Sequence, residues 1–169
     1  SLAAGSTISD TIDNLVTNGA AHTIITSNST LDITLTNATI TSATNLELIR
    51  AASTGQITCA QLTSTAAVFA NLSAGNDKLG LIVTDAASVS QAMTMILAVS
   101  STTAITFQGG IQDTVTNLKT KTTGGTDFDK LDSIVLNDSD VAITISDDAF
   151  ATSNTAITAT DLSTIGGKT

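Results

Sequence analysis

The sequence predicts a β-rich parallel solenoid with coils of about 24 residues, some carrying a short helix, in other words a β-solenoid or an α/β solenoid. Three observations predict it. One Ile from each extended run (Ile8, Ile33, Ile57, Ile82, Ile105, Ile134 and Ile157) recurs at intervals of 25, 24, 25, 23, 29 and 23 residues. Longer phrases repeat on top of this period: "ISDTIDNL" (8–15) returns as "IQDTVTNL" (111–118), and "NDKLGLIV" (76–83) as "FDKLDSIV" (128–135). Finally, hydrophobic residues make up 41% of the chain and aromatics only 2%, so the core must be Ile, Leu, Val and Ala stacked in repeated positions.

The elements follow in order. "DITLT", "QITCAQL", "LIVT", "AITF" and "VAITIS" alternate or cluster β-branched residues over four to seven positions, which is a strand pattern. Asp10, Asn37, Asp85, Asp113, Asp147 and Asp161 follow or end such runs, where a short polar side chain accepts nearby backbone N–H groups to cap a helix or close a turn. After Asp85, Val89, Ala92, Met93, Ile96 and Leu97 fall at helical spacing and predict an amphipathic helix. A second helix is expected within 42–52, and "DTIDNLVT" and "DTVTNLKT" support a turn or two each. Glycines at 19, 55, 75, 109, 110, 124, 125, 166 and 167 mark the returns. Residues 1–169 are therefore expected as a single solenoid segment, a piece of a longer repeat protein.

Composition narrows the chemistry. A net charge of −9 repels phosphate backbones and anionic membrane faces, so neither nucleic-acid binding nor membrane insertion is expected. No apolar run approaches the roughly 20 residues of a bilayer span. The lone Cys59 reads as a small buried hydrophobe and the lone His22 as an incidental edge residue, so nucleophilic catalysis and transition-metal binding lack their usual clusters. No phosphate-cradling glycine loop with its Lys is present.

Carboxylates are the remaining chemical signal. Asp127, Asp129, Asp132, Asp138 and Asp140 crowd one expected coil, and Asn76 with Asp77 sits beside another glycine turn. Hard oxygens beside glycines suit Ca²⁺. "AGNDKLGL" and "GGTDFDKLD" resemble degraded forms of the glycine and aspartate nonapeptides of RTX proteins, and the resemblance implies Asp127, Asp129, Asp132, Asn76 and Asp77 as calcium ligands. "DTVTNL" and "TDAASVSQA" are similar in style to repeat modules of very large secreted or surface bacterial proteins, including cyanobacterial adhesins and S-layer proteins. The expected function is a non-catalytic structural segment at the bacterial cell surface or outside the cell, a stiff spacer or lattice module whose partners are neighbouring copies or flanking repeats of the same protein. Two other classes compete: an adhesin or ice-binding module using Thr pairs such as Thr34 with Thr36, and a polysaccharide-active β-helix enzyme, which the absence of Trp and Tyr disfavours.

Overall fold

Ile8, Ile33 and Ile57 stand side by side on parallel strands. The computed structural model describes residues 2–3, 6–36, 39–146 and 158–168. In chain order the first half holds β1 (Thr7–Asp10), α1 (Ile12–Leu15), β2 (Val16–Thr17), β3 (Ala20–Ala21), α2 (Thr23–Thr26), β4 (Asp32–Leu35), α3 (Thr44–Ala52), β5 (Ile57–Ser64) and α4 (Ala66–Phe69). The second half holds β6 (Lys78–Val83), α5 (Val89–Ala98), β7 (Ile105–Phe107), β8 (Ile111–Asp113), α6 (Val115–Leu118), α7 (Asp129–Asn137), β9 (Ile143–Ile145) and α8 (Ala159–Gly166).

Five strands form one parallel sheet in the order β1-β4-β5-β6-β7. One face is the core, carrying Ile33, Leu35, Ile57, Cys59, Leu62, Leu79, Leu81, Val83, Ile105 and Phe107, all nearly inaccessible. The residues between them, among them Thr34, Thr58, Lys78 and Thr106, are half-buried or exposed, so the sheet is covered on one side and its strands alternate. Leu46 and Ile49 of α3, Ala66 and Phe69 of α4, and Leu131 and Ile134 of α7 join the same connected core. β2 and β3 make a small antiparallel hairpin turned by Asn18 and Gly19, both at positive φ (53° and 73°), as a two-residue hairpin turn requires. β8 and β9 pair in parallel, and Ala87 bridges the other side of β8.

These findings correct the expected solenoid. Among the described residues the chain is an α/β protein with an open five-stranded parallel sheet, two two-stranded sheets and eight helices, and no closed or coiled sheet. The Ile period fails as a ladder for identifiable reasons. β5 and β6 pair at an offset of 20 residues before the register shift between Cys59 and Leu62 and 19 after it, so Ile82 lies opposite Thr63 and not Ile57, and β6 and β7 pair at an offset of 24, which puts Ile105 opposite Leu81. Ile134 belongs to helix α7, and Ile157 lies outside the described residues. Helices of four to ten residues lie in the connections between the sheet strands β1, β4, β5, β6 and β7, joined between β1 and β4 by the β2–β3 hairpin, and carry much of the core.

The helix after Asp85 forms, but its phase differs from expectation. Val89, Ala92, Met95 and Ala98 are its buried residues, Met93 and Ile96 are half-buried, and Leu97 is 61% exposed. Seven of the ten residues of "VSQAMTMILA" are apolar and cover most of the surface outside the arc of Ser90, Gln91 and Thr94, so packing against α4 and α7 selects which part of that wide apolar surface faces in. Ser88 and Gln91 close a reciprocal capping box at its start.

Candidate functional site

The carboxylates expected to cap helices or close turns do so in part, Asp10 Oδ1 accepting the Thr11 N–H and Asp113 Oδ1 that of Thr114, while the cap positions themselves go to hydroxyls. Thr11, Thr65, Ser88, Thr114 and Thr158 each accept the backbone N–H three residues on. This frees the aspartates to reach a neighbouring segment. Asp85 Oδ1 accepts the Ala66 N–H at 2.6 Å and Asp113 Oδ2 the Val89 N–H at 3.0 Å, in both cases the first amide of a helix, which has no partner inside that helix. Asp32 Oδ1 takes the Gln56 N–H at 2.8 Å, Asp77 Oδ1 the Ile57 N–H at 3.1 Å, and Asp138 Oδ2 the Phe107 N–H at 2.6 Å. Hydroxyls assist: Ser64 Oγ donates to the Ile40 carbonyl at 2.7 Å, and Ser53 Oγ to that of Leu31 at 2.9 Å. Asn37 and Asp147 lie outside the described residues, and Asp161 accepts the Thr158 N–H within its own capping box.

The densest polar cluster is built on Arg50, the only arginine of the chain. It lies one turn after Glu47 on α3, beside an open groove of about 410 Å³ lined by Thr54, Ser73, Asn76 and Asp77. Its Nε donates to Asp77 Oδ2 at 2.7 Å, one terminal nitrogen to Glu47 Oε1 and the Ser73 carbonyl at 2.9 Å each, and the other to the Ala98 carbonyl at 2.6 Å. The guanidinium thus ties α3, the segment before β6 and the C-terminal end of α5, where a cation is favoured. Partial burial pushes the Glu47 carboxyl up, and its Ser73 and Arg50 hydrogen bonds outweigh that, leaving it below the usual carboxylate range. With two carboxylates and two carbonyls around one side chain that is 10% exposed, the cluster spends its polarity internally and acts as a brace.

The five residues expected as calcium ligands are distributed over these structures. Asp77 is committed to Arg50 and Ile57, and the Asn76 carbonyl accepts from the Gln56 side chain at 3.1 Å. Asp129 begins α7 and is held by Thr126, through its N–H and hydroxyl at 2.7 Å each, and by the Thr122 hydroxyl at 3.1 Å. Asp132 pairs with Lys168, and Asp127 is exposed. Among the described residues no three His, Cys, Asp or Glu side chains are grouped so as to hold a metal ion. His22 caps α2 by accepting the Ile24 N–H on Nδ1 at 3.2 Å, and burial pushes the Cys59 thiol up.

Asp32, Glu47 and Arg50 carry structural contacts that the sequence did not single out, and Asp138, named there only among crowded carboxylates, holds the Phe107 N–H. Their signal is a partner 23 to 31 residues away, which marks the adjacent segment of a roughly 24-residue spacing; Arg50 also reaches Ala98, 48 residues on. No family model, curated protein or solved structure matches the chain.

Proposed function

We propose that this chain is a non-catalytic structural segment of an extracellular bacterial surface, S-layer or filament protein, serving as a stiff spacer or lattice module. One observation carries the reading: aspartates at strand ends and turns are spent on backbone amides of the neighbouring strand and helix segment. A carboxylate accepting a main-chain N–H makes one of the stronger hydrogen bonds, and it fixes one segment against the next in a way that side-chain packing alone does not. The Arg50 brace adds the same function at the helix ends. A hydroxyl-rich surface with a net charge of −9 keeps such a segment dispersed.

Pulling the chain from its two ends by atomic-force spectroscopy, in series with a helical reference domain, tests this reading. Expected is one cooperative unfolding event at a force above that of the reference. Unfolding in several low-force steps would reject stiffness as the role. Antibody labelling of unpermeabilised source cells tests the location.

A further inference from the structure

The repeated phrase "DT-x-x-NL" is built twice, and only one copy is complete. At Asp113, Oδ1 accepts the Thr114 N–H at 2.9 Å and the Asn117 side-chain amide at 2.6 Å, while Thr114 Oγ1 accepts the Asn117 N–H at 3.2 Å. At Asp10 the same three bonds measure 2.8, 2.7 and 3.2 Å, to Thr11, Asn14 and Thr11 Oγ1 respectively. The strands agree as well: β8 pairs with β9 through Ile111 and Ile143 as β1 pairs with β4 through Ile8 and Ile33. The fourth bond differs. Asp113 Oδ2 holds the Val89 N–H that starts α5, and the Gln112 N–H donates to the Ala87 carbonyl on the far side of β8. Asp10 Oδ2 has no hydrogen-bond partner among the described residues.

Among the described residues β1 is also an edge strand. The carbonyls of Ser6 and Asp10 accept from Asp32 and Thr36 of the β4 side, so by the alternation of a parallel ladder the peptide groups of Thr7 and Ser9 point the other way. Ser9 stands where Gln112 stands in the complete copy. The fitting occupant of this edge is therefore a segment like Ala87–Val89: a chain running parallel to β1 and ending in a helix whose first N–H meets the carboxylate.

This chain presents such a helix start at its other end. Ala159, the first residue of α8, is exposed, and its N–H has no partner among the described residues, whereas the equivalent first amides of α4 and α5 are held by Asp85 and Asp113. In both of those pairs the carboxylate comes from the later segment, so an earlier α8 and a later Asp10 preserve the direction. We infer that β1 with Asp10 and the start of α8 are the two halves of a head-to-tail self-interface, in which Asp10 of one copy accepts the Ala159 N–H of the copy before it. Such a contact joins unlike surfaces, so it generates open chains of copies, or a ring where the rotation closes, instead of a closed dimer. It rests on the structural reading above and names how copies would join.

Sedimentation of the full chain from about 5 to about 500 µM tests the interface, a range that covers weak protein association. The wild type is expected to give a mass distribution that keeps growing with concentration, or levels off where a ring closes. Asp10→Asn keeps the Oδ1 contacts and turns a donor toward the open side. Ala159→Pro removes the N–H at the helix position where proline is accepted, and Thr158, at φ −88° and ψ 153°, already has the backbone that a following proline needs. Each variant alone should associate at least about tenfold more weakly, as loss of a charge-assisted bond predicts. Mixed, they retain one good head and one good tail between them and should stop at a single pair. A wild type that stays monomeric throughout, or variants that assemble like the wild type, would overturn the interface. If the single high-force unfolding event persists in that case, the structural role stands without it.

Discussion

Residues 77–83 and 129–135 read "DKLGLIV" and "DKLDSIV", alike at five of seven positions, yet the first is strand β6 and the second is helix α7. In the strand, Leu79, Leu81 and Val83 are buried and the residues between them face out, a period of two. In the helix, Phe128, Leu131 and Ile134 are buried at every third position, and Leu136 is 88% exposed. Two substitutions separate these periods. Leu81 supplies the apolar residue a strand needs where Ser133 stands in the helix, and Gly80 lets β6 pass β5, since a Cβ there would lie 2.3 Å from the Ala60 carbonyl oxygen. Asp132 cannot occupy such a position, and on α7 it points to Lys168 instead. The leading aspartates diverge in the same sense: Asp77 binds groups 20 and 27 residues away, Asp129 groups only three and seven residues before it. A strand is held by its neighbours, whereas a short helix can be secured locally.

The comparison can be broken at each of these points. The largest effect is expected at the discriminating apolar position: Leu81→Ala should lower stability by about 2 to 5 kcal/mol in urea unfolding, while Ser133→Ala at the matching helical position should change it by less than about 0.5 kcal/mol. Next, Arg50→Ala should cost about 3 kcal/mol, because it strands Asp77 at 15% exposure and leaves two carbonyls without their donor. Removing the Lys168 amine from the more exposed Asp132 should cost no more than about 1 kcal/mol. Gly80→Ala should cost about 1 to 3 kcal/mol by forcing β5 and β6 apart, measured by the same unfolding curves.

Smaller effects sharpen the local half of the comparison. The Thr126 hydroxyl, with Thr122 and the Thr126 N–H, holds the Asp129 carboxyl below its ordinary range against the upward pull of burial. A lowered folded-state value stabilises the protein above the unfolded carboxylate range, and the contribution disappears as pH falls through the lowered value. Asp129→Asn should therefore reduce stability at neutral pH and flatten the acid side of the stability profile. At the bottom of the scale, millimolar Ca²⁺ against excess chelator should leave the melting temperature unchanged, because Asp77 and Asp129 already have their donors and Asp132 its lysine. A rise with Ca²⁺ would show that these carboxylates exchange those partners for the ion.

Much of the local structure was legible in the residues. The strands of "DITLT", "QITCAQL" and "LIVT", the helix after Asp85 and the short turns after Asp10 and Asp113 follow from periodicity and composition. The caps fell one to three residues beyond the aspartates, since a Thr or Ser hydroxyl next in line fits the cap position and releases the carboxylate. Met95 was missed because its neighbours on α5 are equally apolar. The structural roles of Arg50 and Asp138 were not legible, since their partners lie 23 to 48 residues away and nothing local distinguishes a bridging carboxylate from a solvated one.

By itself the sequence determined the spacing of about 24 residues, the parallel pairing that such spacing favours, the aliphatic core and the acidic hydroxyl-rich surface, because these follow from local pattern and composition summed along the chain. Only the tertiary structure decided that the repeats form an open α/β sheet, not a uniform stack, that Ile134 turns with a helix while Ile33 lies in a strand, and that aspartates such as Asp113 bind backbone amides of an adjacent segment. The reason is physical. A short apolar run such as "DKL-x-x-IV" is nearly balanced between strand and helix, and the partner that arrives from another part of the chain, whether the Ala60 carbonyl beside Gly80 or the Lys168 amine beside Asp132, contributes the deciding free energy.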